Sequence, residues 1–333
     1  MDFASATYWT GTILPGLIIG ILFGYVLQRG RFCFYSAIRD PILLKDNKLL
    51  KGIGIALCVE MIGFSFLVMN DPSILTKKQF FWLPQIVGGL IFGIGMVFAA
   101  GCASGTTYRV GEGMMGSLVA LIGLTFGVYL VKPGGILNAL NGEMLAISPK
   151  TPLTIGGDFA WILMLVIGIL GLLLFVWKDI LPALKEKKKI NILKDAWPYW
   201  LSGLILGIIA IVTFAVWNNL LGITGHWWNV GNAFITSSDI SLGGWMVLGI
   251  ILGALISALI AGELKLRAPK DGKILVLQFL GGIMLGVGAA FAGGCNIGNL
   301  LSGVPLLSVG SILTSICLIL GCWFMTWIMF MRE

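Results

Sequence analysis

Charge is what this sequence has least of: Asp, Glu, Lys and Arg together make 11% of its 333 residues, while 58% are hydrophobic. An ordinary soluble domain carries about 25% charged residues, and a water-soluble fold has no room to hide so much apolar surface. Histidine is nearly absent too. His226 is the only one, and no Cys-x-x-Cys pair accompanies it. That argues against a zinc site of clustered Cys and His, and no metal or other cofactor is expected. The Gly-x-x-x-x-Gly-Lys-Ser/Thr loop is missing, which argues against direct ATP drive by this chain. Before the first apolar run stands Asp2 but no Lys or Arg, so the basic region of a cleaved signal peptide is lacking and the first helix is expected to stay. Nor does any stretch alternate polar and apolar residues over the length a transmembrane barrel requires.

What is present in their place is a series of long apolar runs, among them 14 to 27, 53 to 69, 162 to 177 and 201 to 217. They approach the roughly 20 residues needed to cross the hydrocarbon core. The expected fold is an all-α polytopic membrane protein of about nine crossings, at about 12–28, 52–69, 83–100, 114–131, 160–177, 199–217, 244–262, 274–292 and 309–329. The net charge of +7 does not signal nucleic acid, because the cations sit in connectors. Arg29 to Lys51, Lys178 to Lys194 and Lys265 to Lys273 hold most of them, and these connectors are expected to face the cytoplasm. The connectors 70–82, 132–159 and 218–242 hold only Lys77, Lys78, Lys132 and Lys150 and are expected outside. The N-terminus is then outside and the C-terminus cytoplasmic.

The chain also echoes itself. Gly88-Gly89, Gly93, Gly95 and Gly101-Cys102 through Gly105 match Gly281-Gly282, Gly286, Gly288 and Gly294-Cys295 through Gly298 at one constant offset. Gly16 to Gly20 is more weakly echoed by Gly203 to Gly207. This predicts one transmembrane domain over 1–333, built of a repeat at about 1–177, a cytoplasmic linker at 178–197 and a second repeat at about 198–333. Five crossings in the first copy, an odd number, make the repeat inverted. Inverted repeats with interrupted helices are a recurring transporter plan, with the substrate near the midplane.

Each copied motif ends an apolar helix with Gly-Cys and runs on through small or polar residues, Ala103 to Thr107 and Asn296 to Asn299. Such a run predicts an interrupted helix, tolerated at membrane depth only where protein or a watery cavity surrounds it. A restarting helix also offers free N–H groups to an anion. Cys33 is a third thiol, set among Arg29, Arg31 and Arg39, and nearby cations raise a thiol's reactivity. Cys58, Cys317 and Cys322 sit in apolar runs and read as small buried hydrophobes. Glu60, inside an apolar helix, is a candidate for function or for a structural pair with an arginine. Arg109 and Glu112 are candidates to pair with each other, and Arg109 to meet substrate. His226, Trp227 and Trp228 read as interface anchors or the mouth of a pore.

The stretches Arg-Phe-Cys33-Phe-Tyr-Ser-Ala-Ile-Arg-Asp, Ala-Gly-Cys102-Ala-Ser-Gly-Thr-Thr-Tyr-Arg-Val-Gly-Glu-Gly and Gly-Gly-Cys295-Asn-Ile-Gly-Asn resemble the YeeE/YedE family of bacterial inner-membrane transporters, with motif details closer to the YedE branch. The resemblance implies a transporter rather than an enzyme, importing thiosulfate or a related small sulfur-containing anion along a path lined by Cys33, Cys102 and Cys295. Arg109 and Asn296 are added as candidate path residues. It also implies an hourglass of two cavities and a cytosolic TusA-like or rhodanese-like sulfur-carrier protein as partner, in a setting of membrane lipid. The alternatives are a selenium-compound transporter, a membrane sulfurtransferase that passes only a persulfide sulfur inward, and a scaffold for the carrier protein.

Overall fold

The computed structural model describes residues 9–185 and 191–332. Its helices are α1 (Leu14–Arg29), α2 (Phe34–Leu43), α3 (Lys48–Asn70), α4 (Trp82–Phe98), α5 (Ala103–Gly111), α6 (Met115–Val131), α7 (Asn138–Ile147), α8 (Ala160–Phe175), α9 (Tyr199–Trp217), α10 (Thr224–Thr236), α11 (Leu242–Ala261), α12 (Gly272–Phe291) and α13 (Val309–Phe330). Eight helical stretches are long and apolar enough to span a membrane, and α6 is a shorter apolar helix beside them. The chain is therefore a polytopic all-α membrane protein. The only paired strands among the described residues are two-residue segments, β1 (Gln79–Phe80) and β2 (Thr151–Pro152), which tie two connectors of one face together.

The helices take their places through glycine. On α1, Gly16, Gly20 and Gly24 recur every four residues, so they share one face, and each lies against α11 backbone at Leu242, Met246 or Ile250. Gly249 and Gly253 of α11 return the contact on Leu17, Gly20 and Ile21. Small residues at this spacing let two backbones approach closely where lipid gives helices no hydrophobic reason to associate. The motif helices use the same device. A Cβ on Gly88 would stand 2.5 Å from the nitrogen of Ala292, and one on Gly95 would stand 2.9 Å from that of Leu285. The beginning of α4 thus meets the end of α12, and the two run in opposite directions.

The packing is crossed between halves. α1 packs on α11 and α3 on α9; α4 packs on α13 and α12 on α6; α2 reaches α13 and α10 reaches α6. α8 stands apart from this pattern. It rests mainly on α3 and exposes Leu170, Leu173 and Leu174, as a lipid-facing helix should.

Three connectors hold helices of 10 to 13 residues. α2 occupies 34–43 between the first and second crossings, α7 occupies 138–147, and α10 occupies 224–236, where Trp227 and Val230 are buried. Arg29, counted above as a connector cation, is 1% exposed and donates to Gln28, Ser257, the Lys194 carbonyl and Glu263. It pins the linker side of one half to the other.

Candidate functional site

Both glycine-rich helices break where the Gly-Cys sequence stands. α4 stops at Phe98, Ala100 takes a left-handed turn (φ 52°), and α5 restarts at Ala103 with Cys102 as its N-cap. α12 stops at Phe291, Gly293 takes the equivalent turn (φ 70°), and a five-residue helical segment, Ile297–Leu301, follows. An alanine in the left-handed region costs backbone energy, of order 1 kcal/mol. The sulfur of Cys102 accepts from the Gly105 amide at 3.3 Å and lies 3.3 Å from the Ser104 hydroxyl. Cys33, the N-cap of α2, brings its sulfur to the same spot, since a Cβ on Gly105 would meet Cys33 Sγ at 2.8 Å and Cys102 Sγ at 3.3 Å. Two thiols separated by 69 residues therefore converge beside one glycine.

Neighbouring residues are held firmly. Thr106 and Thr107 hydroxyls donate back to the carbonyls of Cys102 and Ala103, and the Trp227 indole donates to Thr107 Oγ1 at 3.0 Å. That last bond joins α10 to α5, one short helix to another. In the second break, Asn299 Nδ2 donates to the Gly294 carbonyl at 2.8 Å and Ser311 donates to Asn299 Oδ1. Asn296, beside Cys295, is fully buried with both amide atoms unpartnered among the described residues. A buried amide left so costs about 1–3 kcal/mol, which a bound polar group would relieve.

Two cavities open on opposite faces. One of about 660 Å³ lies by the basic connectors and is lined by Arg31, Arg39, Arg109, Lys265 and Arg267 with Glu112 and Glu263. Burial raises the Glu112 carboxyl above its ordinary range. Arg109 does not pair with Glu112; its Nη1 donates to the Ala100 carbonyl at 2.6 Å, and Arg31 pairs with Glu263. The other, of about 200 Å³, is lined by Lys77, Lys78, His226 and the Gly293-Gly294-Cys295 turn, with no carboxylate. So Cys33, Cys102 and Arg109 belong to one neighbourhood, while Cys295 walls the cavity on the far side. His226 sits in α10 against Trp217, ring centroids 5.1 Å apart, and is part of this cavity wall. Burial lowers its pKa to about 4, so the ring is neutral at pH 7. Glu60 is fully buried and, among the described residues, neither carboxylate oxygen has a partner, so the structural pair with an arginine is not made. Lys78, in the sequence no more than a connector cation, carries one further signal, a lysine doublet in an otherwise cation-poor connector.

The family model described as sulphur transport matches residues 29–324. The thiosulfate transporter TsuA of Spirochaeta thermophila is 40% identical over 96% of this chain and 100% of its own length. The thiosulfate transporter TsuA of Escherichia coli is 31% identical over 96% of both chains. The probable transporter YedE of Escherichia coli is 35% identical over 101 residues, 30% of this chain and 24% of its own.

Proposed function

We propose, from the premise that the chain belongs to the sulphur transport family, that it imports thiosulfate or a closely related sulfur anion across the bacterial inner membrane. The observation that carries this reading is the pair of converging thiols, Cys33 and Cys102, whose chain neighbours Tyr35, Ser36 and Ala100 line the larger cavity with Arg109, while Cys295 lines a cation-bearing cavity of its own. Its orientation follows from the cations: the face with Arg31, Arg39, Lys265 and Arg267 is cytoplasmic, the C-terminus with it, and the N-terminus is outside. The constant glycine offset and the crossed packing of halves support two inverted copies, about 1–177 and 198–333, joined by the linker 178–197.

Anions enter the smaller cavity and meet Cys295 first. A neutral thiol donates a weak S–H hydrogen bond to a terminal sulfur, and the buried amide of Asn296 is available to the sulfonate oxygens. Weak, successive contacts suit conduction, because a site that binds tightly also stalls its cargo. Cys102 and Cys33 receive the ion next, and Arg109 with its neighbouring cations draws it into the larger cavity. There a cytosolic sulfur-carrier protein is the natural acceptor.

The test is uptake into liposomes of thiosulfate labelled separately at its two sulfurs, with native protein and with Cys33→Ser, Cys102→Ser and Cys295→Ser. Both labels entering together, with uptake reduced in every variant, is the expected result. Entry of the outer sulfur alone would replace the relay with a sulfurtransferase. Entry of neither would move the search to selenium compounds and other sulfur anions.

A further inference from the structure

The two outer cavities share a wall. Beside the one that holds Cys295 lies a second, of about 210 Å³, lined by Gln85, Lys150, Asn299 and Gly293; Lys77 and Lys78 line both. The three lysines are not equivalent. Lys77 donates to the Asn218 carbonyl at 2.6 Å and lies over the Phe214 ring, and Lys150 lies over the Phe81 ring. Lys78 makes neither kind of contact among the described residues, and no carboxylate pairs with it. Its Nζ hangs 3.5 Å from where a Cβ on Gly294 would stand and 3.6 Å from that on Gly298, on either side of Cys295. At Gly298 the only other atom so near is the Leu221 carbonyl oxygen. A half-buried ammonium without a counter-ion is costly unless an anion arrives to compensate it.

We propose that Lys78 is the specificity-determining residue of the outer mouth, holding the charged end of an arriving anion so that its other end lies against the Cys295 thiol. The proposal deepens the transport reading and rests on it. Clefts lined by one sign of charge raise the local concentration of the opposite ion by about tenfold or more. No other cation facing Lys78 is without a contact: Lys77 donates to the Asn218 carbonyl, Lys150 lies over the Phe81 ring, and His226 is neutral. Burial brings the Lys78 pKa down to about 8, with the nearby Cys295 opposing the shift. Anion capture therefore weakens as pH rises from 7 to 9, as Lys78 loses its proton.

The experiment uses the full chain in detergent and in liposomes, native, Lys78→Met and Lys78→Arg. In detergent, the rates at which Cys295 reacts with an anionic and a cationic methanethiosulfonate are compared by peptide mass spectrometry. Lys78→Met is expected to lower the anionic-to-cationic ratio about tenfold, and Lys78→Arg to preserve it. The native ratio is expected to fall between pH 7 and pH 9, and that of Lys78→Arg to stay level, a comparison that holds even if Lys78→Met fails to assemble. In liposomes, Lys78→Met should raise the KM for thiosulfate about tenfold with a smaller change in maximal rate. A ratio unmoved by Lys78→Met, or a native ratio level with pH, overturns the proposal. A ratio that falls as expected in a native protein that moves no thiosulfate sustains charge selection and rejects the cargo.

Discussion

Replacing Gly20 with alanine tests the seam that joins the two halves. The added carbon would stand 2.8 Å from the Cα of Gly249 and closer still to the Met246 carbonyl oxygen. Ordinary carbon contacts lie at about 3.5–4.0 Å, so α1 must retreat from α11 by about 1 Å. Backbone cannot swing aside as a side-chain tip can, and Gly16 and Gly24 press on the same helix one turn either way. Overpacking costs about 1–3 kcal/mol, and this geometry belongs at the upper end. Alanine regains up to about 1 kcal/mol as the better helix former. The net expectation is a loss of about 2 kcal/mol. Gly142, inside α7 with nothing within 4 Å of its Cβ position, supplies the control. There the same substitution should be neutral or stabilise by up to about 1 kcal/mol. Unfolding free energies from SDS titration in mixed micelles would measure both. Equal effects of Gly20→Ala and Gly142→Ala would refute the argument that backbone approach, rather than helix propensity, makes glycine necessary in α1.

Two further outcomes are expected. Gly105→Ala places a carbon between the sulfurs of Cys33 and Cys102, so thiosulfate uptake should fall by tenfold or more while the unfolding free energy moves less than in Gly20→Ala; unchanged uptake would mean that cargo does not pass between the two thiols. His226 titrates at about 4 in the folded chain and at about 6.5 in the unfolded one. Between those values the unfolded state binds more protons, so the contribution is complete above pH 6.5 and is lost as pH falls towards 4. For a half-buried ring the loss is about 2 kcal/mol, and stability measured from pH 7.5 to 4.5 should fall less in His226→Gln than in the native chain.

How much of this was legible in the sequence depended on whether a feature repeats. The spans were, since each is a run of about 20 apolar residues and the observed helices fall within a few positions of those expected. The interruptions after Phe98 and Phe291 were, because glycine and cysteine interrupt the pattern at the same offset in both halves. The short helices α2 and α10 were not, for a physical reason. Each is only 10 or 13 residues long and carries polar groups such as Arg39, Asp40 or His226, Asn229, Asn232, so neither length nor hydropathy separates it from a loop. Side-chain partnerships were the least legible. Arg109 turns to the Ala100 carbonyl instead of Glu112, and Arg29 enters the core, because both choices are made by residues far away in sequence or by backbone freed at a break.

The same offset carries a consequence for asymmetry. Cys102 and Cys295 are 193 residues apart, and 193 residues beyond Cys33 stands His226. On the reading of two inverted copies, with α2 answered by α10, the first holds a thiol facing Cys102 at the N-cap of α2 and the second a neutral imidazole in the first turn of α10, lining the cavity of Cys295. One side therefore presents two thiols together and the other a single thiol with a lysine. A neutral imidazole offers one strong donor and one strong acceptor nitrogen, whereas a thiol is weak as donor and as acceptor alike, so the two ends cannot hold a sulfur anion alike. An exchange follows as the sharpest check on this correspondence. His226→Cys should create a second thiol neighbour for Cys295, detectable as a cross-link between the introduced thiol and Cys295 under a thiol-specific bifunctional reagent. No cross-link at any reagent length, in a variant that remains assembled, would break the correspondence between Cys33 and His226 while leaving that between Cys102 and Cys295 intact.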